Sequence, residues 1–167
     1  MEENPTMILT AEDVRRKTER IAYEILEQHI DENEIVLIGV APNGTVLAEN
    51  ISAFIKGLSK LKITVSELRI NKKTPTLAEV DLTLSDEEVK NKVVILVDDV
   101  ANSGRTLLYA MKPLLDVELK KLQVAVLIDR MHKSFPVSPD FVGLSLSTNI
   151  HEHVTVSYEN GPAVYLS

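Results

Sequence analysis

Apolar residues recur along this chain in two alternating patterns. Apolar runs, rich in Val, Ile and Leu, cover residues 35–40, 93–97 and 122–128, with Gln123 as the one polar residue among them. Such runs are typical of strands that are covered on both faces of a parallel sheet. Between them, apolar residues recur every three or four positions, as they do on one face of a helix. The pattern therefore predicts strands that alternate with amphipathic helices.

Strand, helix and strand in this order predict an α/β fold, a doubly wound and mainly parallel sheet with helices on both faces. The length of 167 residues fits a single domain, residues 1–167. Residues 71–84 break the alternation and predict a hairpin-like excursion, and residues 153–166, around an Asn-Gly turn, predict a closing hairpin. Pro113 lies inside a helical pattern and should kink or shorten that helix.

Two aspartates, Asp98 and Asp99, directly follow the apolar run 93–97. They should lie at the carboxyl end of a strand, where open α/β sheets bind ligands. The small residues of 101–104 allow successive backbone amides to converge before a helix, an arrangement that binds phosphate. Ser103 and Thr106 could add hydroxyl donors, and the carboxylates suit sugar hydroxyls or hydrated Mg²⁺. These residues favour a phosphorylated sugar as ligand, although a helix-capping turn with a tight Gly104 corner stays open.

A second loop, residues 41–44, follows the run 35–40 and precedes another helical pattern. Its position predicts that it lies at the same edge of the sheet as the acidic pair. A plain surface turn remains the alternative.

The stretch VVILVDDVANSGRTL resembles the phosphoribosyl-pyrophosphate (PRPP) signature of the type I phosphoribosyltransferases. The resemblance implies transfer of ribose 5-phosphate from PRPP to a nucleobase, with Mg²⁺ as cofactor and a small hood over the sheet. Asp98 and Asp99 would be the catalytic pair and would hold the metal through water. The 5-phosphate would be bound by Ala101, Asn102, Ser103, Gly104, Arg105 and Thr106.

The loop at residues 41–44 is similar to the pyrophosphate-binding loop of the same family. The family usually has a basic residue there, whereas this chain has Pro42 and Asn43 and retains Gly44. Lys72 and Lys73 lie in the excursion, which corresponds to the family's mobile lid, although solvated lysines on a hairpin tip are an alternative. The predicted pyrophosphate site comprises Ala41, Pro42, Asn43, Gly44, Lys72 and Lys73.

The segment DRMHKSFPVSPDFVGLSLST resembles one branch of the family, the bifunctional uracil phosphoribosyltransferase and pyrimidine-operon attenuation regulator. The resemblance extends over most of the chain and implies that Arg130, Met131 and His132 lie on the base-binding side. Uracil is the preferred base, and a 6-oxopurine stays open. A packed structural role is the alternative for His132.

Two other functions stay open: a nucleotide-sensing regulator of pyrimidine genes that uses the same pocket, and a catalytically weak nucleotide-binding module. The formal net charge of −7 disfavours RNA as a partner without removing it.

No apolar run is long enough to span a bilayer, so we expect no membrane partner and a cytoplasmic location. The chain has no cysteine for disulfides or thiolate metal sites. The resemblance suggests a homodimer or a higher oligomer.

Overall fold

The computed structural model describes residues 5–75, 79–149 and 151–167. In chain order its helices and strands are β1 (Thr6–Leu9), α1 (Ala11–Gln28), β2 (Glu34–Val40), α2 (Asn43–Leu58), β3 (Lys62–Arg69), β4 (Asp81–Leu82), α3 (Asp86–Val89), β5 (Val93–Ala101), α4 (Arg105–Ala110), α5 (Lys112–Leu115), β6 (Lys121–Arg130), β7 (Phe141–Leu146), β8 (Val154–Ser157) and β9 (Ala163–Leu166).

Six strands form the main sheet in the order β4-β3-β2-β5-β6-β7. All described neighbours in this sheet pair in parallel except β3 and β4, which pair antiparallel. From β2 the chain crosses to β3 on one side, whereas from β5 it crosses to β6 on the other. The strand order therefore reverses between β2 and β5, and the predicted doubly wound α/β fold is confirmed.

Alternate residues of the central strands pack on opposite faces of the sheet. Ile35 and Leu37 of β2 belong to a core cluster with Ile21 of α1 and Ile51 of α2. Val36 and Ile38 belong to a second cluster that contains residues of α4 and α5. Because both faces of β2 are buried against helices, its sequence is a continuous apolar run.

A smaller antiparallel sheet, which we call the hood, has the strand order β1-β9-β8. Its β8 and β9 form the closing hairpin, paired from Val154↔Leu166 to Ser157↔Ala163. The sequence pattern did not predict β1, which is four residues long. Its pairing with β9 joins two segments that lie far apart along the chain.

Local sequence signals explain how several helices begin and end. Thr10 and Asp13 form a reciprocal capping box at the start of α1. Pro113 stands near the start of α5, and a break at Met111 separates α5 from α4. Of the predicted excursion, the structure shows the short strand β4, while residues 76–78 lie outside the described residues. Within the described ranges, every helix is too short or too polar to cross a membrane.

Candidate active site

The two predicted ligand loops lie side by side where the strand order reverses. β2 and β5 pair in parallel up to Gly39↔Val97, so the segments that follow these positions emerge at one edge of the sheet. β5 continues through the acidic pair to Ala101. Asp98 and Asp99 therefore lie within the strand, near its carboxyl end, and their backbone is held by the strand rather than by a loop.

The amino end of α2 packs directly against β5. A Cβ atom on Gly44 would lie 2.4 Å from the Val97 carbonyl oxygen, so only glycine allows this approach. Asn43 Nδ2 donates to Asp99 Oδ2 at 2.8 Å and to the Val156 carbonyl at 3.1 Å. The Ala41–Pro42 peptide bond is cis. Asn43 therefore connects the predicted pyrophosphate loop to the acidic pair and to the hood.

The acidic pair is buried, and its oxygens already have partners. Asp98 is 1% exposed, and its Oδ1 accepts from the Asp99 amide at 2.9 Å and from Lys72 Nζ at 3.1 Å. Asp99 Oδ1 accepts from the Val100 amide at 2.8 Å and lies 3.9 Å from Lys72 Nζ. Burial, and then the neighbouring Asp99 carboxylate, raise the pKa of Asp98 to about 7, while Lys72 acts in the opposite direction.

A cavity of about 450 Å³ lies in front of this pair. A second recess of about 40 Å³, which shares several lining residues with the first cavity, lies against the predicted phosphate loop. The residues that line the larger cavity are Asn43, Lys72, Asp98, Asp99, Val100, Asn102, Ser103, Arg105, Thr106, Val154, Thr155 and Val156. The structure thus brings both loops, the acidic pair and one predicted lysine to one cavity.

The predicted phosphate loop is supported by the segment after β6. The Ser103 carbonyl accepts from the amides of Ser134 and Phe135, both at 3.0 Å. Gly104 has φ +84°, and a Cβ atom there would lie 3.3 Å from the Phe135 carbonyl oxygen. Both the conformation and the limited space favour glycine at this turn.

The three residues predicted on the base side lie outside the described lining of the cavity. Arg130 donates to Asn102 Oδ1, Thr148 Oγ1 and the Asn149 carbonyl. His132 Nε2 lies 3.1 Å from the Thr148 carbonyl, to which it donates, and Met131 is 62% exposed. Their predicted contact with a base stays a prediction.

Strand β8 forms one wall of the cavity through its residues Val154, Thr155 and Val156, which sequence reasoning did not single out. Behind them, the hydroxyl of Tyr158 is buried with no hydrogen-bond partner among the described residues. Burial, and then the Asp99 carboxylate, raise the pKa of this hydroxyl above its usual range. The sequence located the hairpin, but no local pattern indicated that it covers the acidic pair.

The family model of the phosphoribosyl transferase domain matches residues 5–160. The chain belongs to this family. It is 35% identical over 163 residues to the Bifunctional protein PyrR of Chloroflexus aurantiacus, covering 92% of this chain and 88% of that protein. It is 36% identical over 163 residues to the Bifunctional protein PyrR of Pelotomaculum thermopropionicum, covering 93% of this chain and 90% of that protein.

A solved structure supports the fold at lower sequence identity. The hypoxanthine-guanine phosphoribosyltransferase of Bacillus anthracis superposes with a TM-score of 0.77 at 21% identity, covering 99% of this chain and 98% of that one. At this identity the likeness concerns the fold. Together, the family model and the relatives confirm the predicted family, and they support a phosphoribosyltransferase rather than another class of enzyme.

Proposed function

We propose that this protein transfers ribose 5-phosphate from PRPP to uracil and releases pyrophosphate. The observation that carries the proposal is the position of Asp98 and Asp99 between the two loops at the switch point, facing one cavity. PRPP has a 5-phosphate at one end, a pyrophosphate at the other and ribose hydroxyls between them. The phosphate loop, residues 41–44 and the acidic pair are arranged in the corresponding order.

The proposed reaction needs no protein nucleophile, because positive charge develops on the ribose ring as pyrophosphate leaves. Binding, orientation and charge stabilisation then supply most of the catalysis. Asp98 and Asp99 hold the ribose hydroxyls and stabilise this charge. The amides and hydroxyls of residues 101–106 hold the 5-phosphate, and the hood keeps water from the reacting carbon.

Lys72 and Asn43 have to exchange partners when PRPP binds. Lys72 pairs with Asp98, and Asn43 pairs with Asp99. A pyrophosphate carries more charge than one carboxylate and is a stronger partner for both side chains. Their transfer to pyrophosphate would free the carboxylates for the ribose hydroxyls. Lys73, which lies next to Lys72 on the same exposed turn, is the second cation proposed for the pyrophosphate.

The donor set fits a hydrated Mg²⁺ that arrives with the substrate. No third His, Cys, Asp or Glu joins Asp98 and Asp99 as a metal-ligand group in the described residues. Mg²⁺ keeps much of its water and is commonly held by one or two carboxylates together with substrate phosphates. When bound, the ion would neutralise charge on pyrophosphate. The two aspartates would contact its water shell.

A regulator that senses nucleotides is the second candidate, and the pyrophosphate loop favours it. Asn43 stands where the family usually has a basic residue, and the lost charge-assisted contact is typically worth about 1.5–3 kcal/mol. A pocket of this kind would bind UMP and turn over slowly. An RNA-binding version is opposed by the net charge of −7.

A base panel separates these functions. Purified protein is mixed with PRPP, Mg²⁺ and uracil, hypoxanthine, guanine or adenine, and released pyrophosphate is measured. We expect release with uracil. Release with a purine alone would contradict the preference for uracil, and UMP binding without release for any base would support the regulator.

Further properties of the protein remain predictions that the same preparation can test. We expect a homodimer or a higher oligomer, which light scattering would measure. We expect a cytoplasmic location, which fractionation of the source cells would test. For the RNA version, a pyrimidine leader RNA should bind with an affinity that falls steeply with salt, and absence of binding at low salt would exclude it.

A further inference from the structure

The guanidinium of Arg130 connects three separate segments around the phosphate loop. Its Nη1 donates to Asn102 Oδ1 at 3.1 Å, its Nε to Thr148 Oγ1 at 2.8 Å and its Nη2 to the Asn149 carbonyl at 3.1 Å. Asn102 lines the cavity, whereas residues 148–149 follow β7, the strand that pairs with β6. One side chain therefore joins the loop proposed for the 5-phosphate to the end of the neighbouring strand.

Neighbouring residues also hold the backbone of Arg130 and the segment that contains its acceptors. Lys133 Nζ donates to the Arg130 carbonyl and to the Asp129 carboxylate. His132 Nε2 donates to the Thr148 carbonyl at 3.1 Å, so a second residue of this segment holds the same strand end. Thr148 itself is only 7% exposed. Of the three acceptors of Arg130, Thr148 is therefore held in buried structure, whereas Asn102 and Asn149 lie at the surface.

The chemistry of this junction is specific to arginine. A planar guanidinium can direct three N–H groups at three fixed acceptors, whereas a lysine ammonium acts as a compact charge on a flexible stem. Arg130 is also absent from the described lining of the cavity. Its contact with that lining is the hydrogen bond to Asn102, through which it could affect a ligand.

We infer that Arg130 is a positioning residue that holds Asn102 and the phosphate loop in their binding arrangement and couples them to Thr148. The inference rests on the proposed function only in taking residues 101–106 as the site of a sugar phosphate. It assigns Arg130 a role that does not require contact with the base. Affinity for the phosphate end of the ligand should then depend on residues that do not touch it.

The first test measures binding of ribose 5-phosphate by calorimetry, without base and without turnover. We expect Arg130→Lys, at a residue outside the cavity lining, to weaken binding by on the order of tenfold, because it removes the hydrogen bond that holds Asn102. Asn102→Ala, which removes the acceptor within the loop itself, should weaken binding at least as much. Arg16→Lys, the same substitution on the exposed face of α1, is the matched control and should leave the affinity unchanged. Thermal unfolding of each variant shows whether the fold is retained.

The second test asks whether the effect is transmitted through the guanidinium. Thr148→Val removes the hydroxyl acceptor at nearly constant volume. We expect it to weaken ribose 5-phosphate binding by about threefold in the wild type and to have no effect in the Arg130→Lys background, since a double-mutant cycle detects such coupling. A merely structural role would lower the unfolding temperature and leave the dissociation constant unchanged.

Three outcomes are distinct. Loss of affinity in Arg130→Lys and Asn102→Ala, with coupling to Thr148, supports the positioning role. Wild-type affinity in folded Arg130→Lys and Asn102→Ala, or additive effects of Arg130→Lys and Thr148→Val, overturns it. Failure of the wild-type protein to bind ribose 5-phosphate at all would instead overturn the proposed function.

Discussion

The two halves of the candidate site are held in different ways. On the 5-phosphate side, backbone contacts from Ser134 and Phe135 to Ser103 support the loop, and the recess in front of it is lined by that loop. On the pyrophosphate side, Lys72 and Asn43 are paired with the acidic residues. One half is already arranged for a ligand, whereas the other has to release internal partners first.

This difference indicates how the protein can combine a rigid site with a responsive one. A loop that is held by backbone contacts loses little conformational freedom when it binds a phosphate. Such a loop is preorganised, and binding costs less free energy. Lys72 and Asn43, which are paired with buried carboxylates, would have to give up those pairs to bind pyrophosphate as proposed. We therefore expect the phosphate side to set most of the affinity and the pyrophosphate side to set turnover and its dependence on pH.

Loss of the acidic pair should have the largest effect. The double substitution Asp98→Asn with Asp99→Asn should reduce pyrophosphate release on the order of a thousandfold, since it removes the groups that stabilise developing charge. Ribose 5-phosphate binding should change only a few-fold, because the phosphate loop is supported separately. Asp31→Asn, on an exposed loop, is the matched control. Equal loss of binding and release would contradict the separation of the two halves.

Substitution of Gly104 should be the next largest effect and should act on the phosphate side. Gly104→Ala places a side chain at φ +84° and 3.3 Å from a carbonyl oxygen, which typically costs about 1–2 kcal/mol. We expect lower thermal stability and roughly tenfold weaker ribose 5-phosphate binding, as such a cost implies. Gly57→Ala, inside α2 with open space around it, should instead raise stability by about 0.5–1 kcal/mol. Unchanged binding in Gly104→Ala would show that the loop adapts.

The pH dependence should come from the pyrophosphate side. Burial raises the pKa of Asp98 to about 7 in the folded protein, whereas its ordinary pKa of 3.8 applies to the unfolded chain. In the proposed reaction the ionised form of Asp98 holds the ribose hydroxyls, so kcat/KM for PRPP should fall as the pH drops below about 7. Between these two values the folded state holds the extra proton. The contribution of Asp98 to the unfolding free energy therefore increases as the pH falls from 7 towards 4.

Lys72 provides the check on this assignment. Because Lys72 lowers the pKa of Asp98, Lys72→Met should move the acidic limb of the kcat/KM profile to higher pH. Lys60→Met, at an exposed position outside the cavity lining, should leave the limb in place. A limb that does not move in Lys72→Met would mean that a different group controls it.

Restoring the basic residue of the pyrophosphate loop should have the smallest effect. Asn43→Arg would add a charged contact to pyrophosphate but remove the hydrogen bonds to Asp99 and Val156. We expect the pyrophosphate release rate to rise by a factor of roughly three to ten. This is less than one charge-assisted contact would give, because the lost hydrogen bonds offset part of the gain. Asn50→Arg, at an exposed position about two turns further along α2, is the control. An unchanged rate would argue that this loop does not limit turnover.

Local patterns predicted much of the fold because they report burial directly. β2 and the centre of β6 are apolar because alternate residues of each strand are buried in the core clusters on the two faces of the sheet. β1, with only Thr6–Leu9, has no periodicity of its own and depends on its pairing with β9. The extension of β5 through Asp98 and Asp99 was not predicted, since buried carboxylates interrupt the apolar pattern that identifies a strand.

The candidate site could be predicted where its parts are adjacent in sequence. The acidic pair and residues 101–106 form one contiguous stretch, so their association needed no tertiary information. The pairing of Lys72 with Asp98 and of Asn43 with Asp99 joins residues 26 and 56 positions apart. Such contacts depend on strand order, which no local pattern encodes, and the same holds for the β8 wall.

The parallel pairing of β2 with β5 has a consequence for how such a protein can diversify. Main-chain hydrogen bonds between these strands fix the separation of the two loops that we propose to bind the phosphate groups. Side-chain replacements elsewhere leave that separation unaltered. The side chains of the β8 wall can therefore change, and with them the molecules that the cavity accepts, while the spacing between the two loops stays the same.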